Sequence, residues 1–223
     1  MSLQRILNLA ESISFNRRRV IGLQYSRNEI AFRSETPTRN PWRMTVKVAA
    51  PIPYADARGI IEDLDKSDRS DVELVTFSNN ANMSFMLQYQ GVMNLGQQNA
   101  ITVQSFTGTN LVLGGLPDSG GAAVPEAVIF KKGDFIQIED KPYPFTVEND
   151  VVRGSGSTVT VVTHRPNFFA SSVVGSNILL GNRVNFQVIC TNMPTYTLSP
   201  GGRNAIVTFD SDFELYEFTG LES

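Results

Sequence analysis

The sequence predicts a mainly β protein: a sheet domain with one packed helix, interrupted by a small β-barrel insert. Three observations carry that prediction. The 223 residues include fourteen Phe and seventeen Gly among Thr- and Val-rich runs, the composition of strands joined by tight turns. Charged residues make up only 18% of the chain against 41% hydrophobic, which suits an ordered core rather than long solvated helices. Residues 131–166 (KKGDFIQIEDKPYPFTVENDVVRGSGSTVTVVTHRP) then alternate their side chains in three short runs. Gly133-Asp134 opens the first, Glu139-Asp140-Lys141-Pro142 turns into 143–148, and Gly154-Ser155-Gly156-Ser157 turns into 158–163. The stretch reads as a β-meander.

From the start of the chain, Leu3, Ile6, Leu7, Ala10 and Ile13 follow spacings of three and four and predict an amphipathic helix over residues 2–13. Residues 20–25 and 29–33 read as two strands around Ser26-Arg27-Asn28. In 42–49, Trp42, Met44, Val46 and Val48 alternate with Arg43, Thr45 and Lys47, the period of a half-buried strand. Pro53 suits the first turn of a helix over 54–66, whose Ala57, Ile60, Ile61 and Leu64 form one stripe. Strands follow at 72–77, 84–89, 101–106 and 111–113. Residues 114–123 hold four Gly and one Pro and mark the edge of the insert. Residues 167–181 read as a loop exposing Phe168 and Phe169 as a contact patch. Residues 183–191 form a strand, and 204–218 read as a second strand of up to fourteen residues. Its Asp210, Asp212 and Glu214 make an acidic face opposite Val207, Phe209, Phe213 and Leu215. The predicted domains are therefore 1–124 with 181–223, and the insert 125–180.

Charge is distributed unevenly. Residues 1–50 hold nine Lys/Arg against three Glu, for +6, and residues 51–223 hold ten against nineteen Asp/Glu, for −9. Opposite charge in the two parts suits self-association. Cys190 is the single cysteine and His164 the single histidine, which excludes an intramolecular disulfide and a structural zinc site. Residues 1–15 lack the apolar core of a signal peptide, and no stretch reaches the length of a membrane span. A soluble chain made in a reducing cytoplasm is the expectation, with no cofactor and no metal.

No catalytic kit emerges. His164 has no Gly-x-Ser-x-Gly nucleophile to serve, and Gly154-Ser155-Gly156 lacks the Lys-Ser/Thr of a phosphate loop. Asp210, Asp212 and Glu214 follow the polar-out alternation of a solvated sheet, though acid pairs also serve glycosidases. Arg17, Arg18 and Arg19, with Arg27, Arg33, Arg39 and Arg43, are one basic cluster, suited to nucleic-acid phosphates or to protein interfaces. The acidic chain and the preference of Arg for bidentate carboxylate contacts favour an interface. Arg17, Arg18, Arg19, Arg27, Arg33, Trp42, Arg43, Phe168 and Phe169 are the expected subunit contacts.

Two stretches resemble a known group. RRRVIGLQYSRNEIAFRSETPTRNPWRMTVKV and the 131–166 run, followed by Val184-Asn185-Phe186 and Phe213-Glu214-Leu215-Tyr216-Glu217, are similar to minor structural proteins of long-tailed bacteriophage tails, of the tail-tube, distal-tail and baseplate-hub type. The resemblance implies a tail-tube-like ring domain interrupted by a small barrel. It also implies a hexameric ring in the virion, stacked on tail-tube and baseplate proteins around the channel through which DNA passes. The Asp210, Asp212 and Glu214 face would then line an acidic channel or an outer surface. A glycan-binding β-sandwich for host recognition and a hydrolase with paired acids are the alternatives, along with another tail ring such as a tube initiator or terminator.

Overall fold

A computed structural model of the chain describes residues 2–17, 21–25, 31–35, 41–49, 51–66, 71–78, 83–117, 127–141, 143–169, 172–201 and 205–220. Strand accounts for 42% and helix for 18%, so the chain is mainly β, with several antiparallel sheets, one of them curled into a half-barrel. The elements run α1 (Ser2–Asn8), β1 (Ala10–Asn16), β2 (Ile21–Tyr25), β3 (Ala31–Glu35), β4 (Arg43–Val48), β5 (Ile52–Pro53) and α2 (Tyr54–Lys66). Next come β6 (Glu73–Thr76), a 3-10 turn (Ser84–Leu87), α3 (Leu95–Asn99), β7 (Thr102–Thr107), β8 (Asn110–Gly114), β9 (Val128–Phe130) and β10 (Phe135–Ile138). The remainder is β11 (Phe145–Thr146), β12 (Val151–Val152), β13 (Val159–Val162), β14 (Ile178–Leu180), a second 3-10 turn (Gly181–Arg183), β15 (Asn185–Asn192), β16 (Tyr196–Ser199), β17 (Ile206–Phe209) and β18 (Phe213–Glu217).

The chain divides into two units. The first comprises Met1–Asn16, Pro41–Met86 and Asn185–Thr219; the second comprises Arg17–Asn40, Leu87–Val184 and Gly220–Ser223. The second unit thus interrupts the first twice in sequence. Its main segment starts at Leu87, well before residue 125. The reason is strand pairing: β8 bonds β7 on one side and β13 on the other, so Ile101, Val103, Leu111 and Leu113 share one core with Ile129, Phe145 and Val161.

In the first unit a five-stranded sheet runs β1-β4-β18-β15-β6, every pair antiparallel. Cross-strand register puts Met44, Val46, Phe213, Leu215, Val188, Phe186 and Val75 on one buried face. Phe186 anchors it: its ring lies 5.6 Å from Phe77, 5.8 Å from Phe15 and 6.4 Å from Trp42. Such edge-on aromatic contacts add to the free energy of area burial. The 54–66 helix forms as the stripe predicts, with Ala57, Ile60, Ile61 and Leu64 all buried. It contacts α1, β5 and β17. Gly59 leaves room for the Arg5 guanidinium, which pairs with Asp63 at 3.3 Å.

Three expectations change here. The predicted helix 2–13 stops at Asn8, and Ala10–Asn16 is strand β1. The spacing of Ala10 and Ile13 is compatible with a helix, but Ile13 and Phe15 also alternate with Ser12 and Ser14. Pairing with Val46 and Met44 on β4 decides for the strand. The expected strand 84–89 is a 3-10 turn that buries Leu87 and leaves Phe85 66% exposed. The long strand 204–218 is two strands in two sheets: β17 joins β16 and β5, whereas β18 joins β4 and β15. Asp210-Ser211-Asp212 turns the chain between them, with the Asp210 N–H donating to the Thr195 carbonyl at 3.0 Å.

The meander is also dispersed. β10 does pair β11, but its other neighbour is β14; β12 pairs β9, and β13 pairs β8. Among the described residues the second run meets the third through the isolated Val147–Thr163 bridge. Two-residue strands form too few ladder bonds to fold as an isolated meander, so each finds a partner elsewhere.

The β6 edge of the large sheet is covered. The Gln4 side chain of α1 donates to the Thr76 carbonyl at 2.9 Å and accepts from the Thr76 N–H at 2.8 Å, as a neighbouring strand would. The Leu3 N–H adds a bond to Glu73 Oε2 at 3.1 Å. A side-chain amide thereby blunts an edge that could otherwise template strand addition. Replacing Gln4 with Glu removes the donor and with Ala removes both groups; each should cost about 1–3 kcal/mol in urea unfolding. A loss below about 0.5 kcal/mol in both variants, the size of an ordinary surface change, would show that the edge is held by Leu3, Ile6 and Leu7 alone.

Candidate functional site

The expected contact residues fall into different environments. Arg18, Arg19, Arg27 and Arg39 lie outside the described residues. Arg17 is turned onto its own unit, hydrogen-bonded to Thr146 Oγ1 and 3.5 Å from Glu148 Oε1. Arg33 sits in β3, in register with Leu23 of β2. Trp42 is a core residue, 4% exposed, with its backbone N–H on Glu217 Oε2 at 3.0 Å. A side chain buried among Phe15 and Phe186 cannot also present its ring to another subunit. Arg43 is exposed on the outer face of the large sheet. Its guanidinium lies 4.5 Å over the Tyr216 ring, the residue opposite it in register.

Phe168 and Phe169 are half-buried and belong to a stacked cluster of the second unit. Their rings lie 5.0 Å apart, and 5.0 and 5.7 Å from Tyr143. The fully buried Arg165 guanidinium sits 5.2 Å from both Phe145 and Phe168, donating to the Pro144 carbonyl at 2.8 Å. Lys141 covers the Phe169 ring at 5.4 Å. The pair expected as an exposed patch is therefore largely satisfied within its own unit.

The acidic face is divided by the bend at 210–212. Asp210 accepts from Thr195 Oγ1 at 2.6 Å and Thr197 Oγ1 at 3.2 Å, so its carboxylate serves the turn. Asp212 is exposed in the same bend, and Glu214 is exposed on β18. The three acids are not a single strand face. His164 likewise serves structure: its Nδ1 accepts the Thr146 N–H at 2.9 Å, which places the proton of the neutral ring on Nε2.

The second unit carries two polar arrangements that sequence reading did not single out. Asp134 follows Gly133, whose φ of +94° closes the tight turn back from Lys131. Although 3% exposed, Asp134 accepts the N–H groups of Lys131 at 2.8 Å and Gln90 at 2.9 Å. Burial pushes its carboxyl above the ordinary aspartate range, against the downward pull of those two bonds. Beside it, burial and the Asp134 charge hold the Tyr89 hydroxyl protonated far above its usual range, the Met93 N–H opposing them. Tyr89 Oη in turn bonds the Ile129 carbonyl.

The other is a recess of about 210 Å³ lined by Asn99, Glu139, Asn177, Ile178, Leu179 and Arg183. The end of α3, the end of β10, the start of β14 and the second 3-10 turn bring these residues together. Arg183 donates to Asn99 Oδ1 at 2.6 Å and to Gln98 Oε1 at 3.2 Å. Across the recess, Asn177 Nδ2 donates to Glu139 Oε2 at 3.0 Å. Burial lowers the Arg183 pKa, and the Glu139 charge restores part of it. The signal available in the sequence was the capping box Asn94-x-x-Gln97, which fixes α3 and so places Gln98 and Asn99.

Among the described residues no group of three or more His, Cys, Asp or Glu could hold a metal ion, and no helix is long and apolar enough to cross a membrane. No protein-family model matches the chain, and no curated protein matches it either.

The Asp134 carboxyl sets a pH dependence. Its folded pKa lies above the unfolded value, so protonation favours the native state. That contribution is complete below roughly pH 4 and is lost as pH rises through the raised folded pKa. The stability difference between wild type and Asp134→Asn, measured by urea unfolding at a series of pH values, should therefore favour wild type most at the acid end. It should shrink as pH rises and then level off. A difference that instead grows with pH would mean that the two backbone bonds outweigh burial.

Proposed function

We propose that the chain is a structural subunit of a bacteriophage tail, forming a ring at the distal tail or baseplate hub. The ring would continue the tail-tube channel and attach baseplate or fibre components. The observation that carries this reading is the arrangement of the first unit: one five-stranded antiparallel sheet whose β6 edge α1 covers, its chain interrupted by a second β-rich unit. That is the architecture implied by the resemblance of the 17–48 and 131–166 stretches to tail proteins. In this reading the first unit is the tail-tube-like ring domain, and the second, from Leu87 to Val184, is the small β-barrel insert.

The partners are further copies of the chain, in a hexamer, and the tail-tube and baseplate proteins above and below, with DNA passing through the channel. Arg43 on the outer sheet face and β1, the end strand of the large sheet, are the described features best placed for subunit contacts. The asymmetry of +6 in residues 1–50 and −9 in the rest supplies complementary charge. The virion is the site of action, after assembly in the host cytoplasm.

Mass photometry of the purified chain at increasing concentration, alone and mixed with the tail protein encoded beside it, should give a closed oligomer. Negative-stain images of that species should show a ring with a central channel. A chain that stays monomeric under both conditions overturns the reading. A specific glycan-array signal from that monomer would favour host-glycan binding instead.

A further inference from the structure

The recess of the second unit holds two opposite charges apart. Arg183 is fixed by two neutral oxygens, Asn99 Oδ1 and Gln98 Oε1. Gln98 is itself buried and pinned through Nε2 to the Met93 carbonyl at 2.9 Å, so the oxygen that meets Arg183 cannot turn away. Glu139 is fixed by the Asn177 amide, and its backbone N–H bonds the Asn177 carbonyl at 3.0 Å. Among the described residues neither Arg183 nor Glu139 closes an ion pair, although both line the same recess. Each charge is met instead by neutral carboxamides, Arg183 by Asn99 and Gln98 and Glu139 by Asn177.

We propose that this recess binds a small zwitterion of the α-amino-acid type, its carboxylate on Arg183 and its ammonium on Glu139. A planar guanidinium fixed by two of its five N–H groups keeps three for a carboxylate, and a carboxylate held by one amide keeps lone pairs for an ammonium. The volume of about 210 Å³ equals about seven waters at ~30 Å³ each, room for an amino acid with a small side chain. A ligand with both charges matches the site without leaving either protein charge newly desolvated and unpaired, which a simple anion or cation would do. This inference rests on the second unit alone and does not depend on ring assembly.

The test is a titration of the full chain with L-alanine, followed in amide proton–nitrogen correlation spectra. Propionate and ethylamine serve as probes that each carry one of the two charges. Saturable shifts should appear at the amides of Asn99, Glu139, Asn177 and Arg183, with both single-charge probes at least about tenfold weaker. Glu139→Gln and Arg183→Gln should each weaken alanine binding by about tenfold. Glu139 is exposed, so its variant keeps the test decisive should the Arg183 variant fold poorly. No saturable shift with alanine overturns the proposal. Propionate or ethylamine binding as tightly as alanine also overturns it, in favour of a plain anion or cation site.

Discussion

The pairing of β18 with β4 is the constraint on which the first unit depends. It joins Phe213–Tyr216 to Arg43–Val46, and two of the three inner strands of the large sheet, β18 and β15, come from the last part of the chain. The other three strands, β1, β4 and β6, come from the first part. The entropy of closing so long a loop grows only slowly with its length, so the intervening unit costs little more than a shorter connection would. What offsets that closure is the continuous apolar face the pairing completes, centred on Phe186 and its ring contacts with Phe15, Trp42 and Phe77. Glu217 ends the same strand by accepting the Trp42 N–H, so one buried carboxylate locks the register where β18 meets the segment leading into β4.

The second unit solves a different problem. Its strands run from two to six residues, and such strands leave many backbone groups to be satisfied by other means. Side chains take over. Arg153 donates to the Pro117 and Gly156 carbonyls, Thr163 Oγ1 to those of Thr109 and Arg165, and Asn167 to that of Phe106. Asp134 does the converse for two N–H groups. Charged residues that look like surface features in sequence are thus drawn into the fold as backbone partners. This explains why Arg153 and Arg165 are buried while the unit keeps a single apolar core.

The same logic reassigns the candidate contacts. An Arg or a Phe can contribute to an interface only with what its own unit leaves over. Arg17, Phe168 and Phe169 spend much of their surface on Thr146, Glu148, Tyr143 and Arg165. Arg43 keeps its outer position because strand alternation puts it on the face opposite the core. In the recess, by contrast, neutral amides fix Arg183 and Glu139 without neutralising them, and the charges stay available.

Side-chain periodicity was legible from the start. The stripe Ala57, Ile60, Ile61 and Leu64 and the alternation through Met44, Val46 and Val48 stand in the structure; of the parity Val207, Phe209, Phe213 and Leu215, Phe209 is only half-buried and the other three are core. Periodicity is a local property: it says which side of its own backbone a residue occupies, and that survives whatever the strand pairs with. Partners are not local. That β8 bonds β13, that Ala10–Asn16 pairs with β4, and that residues 204–218 serve two sheets depend on hydrogen bonds to strands far away in sequence. The recess is the extreme case, because Asn99, Glu139, Asn177 and Arg183 carry no common spacing. The sequence by itself determined the faces; only the tertiary structure, by closing distant backbone ladders, decided which faces meet.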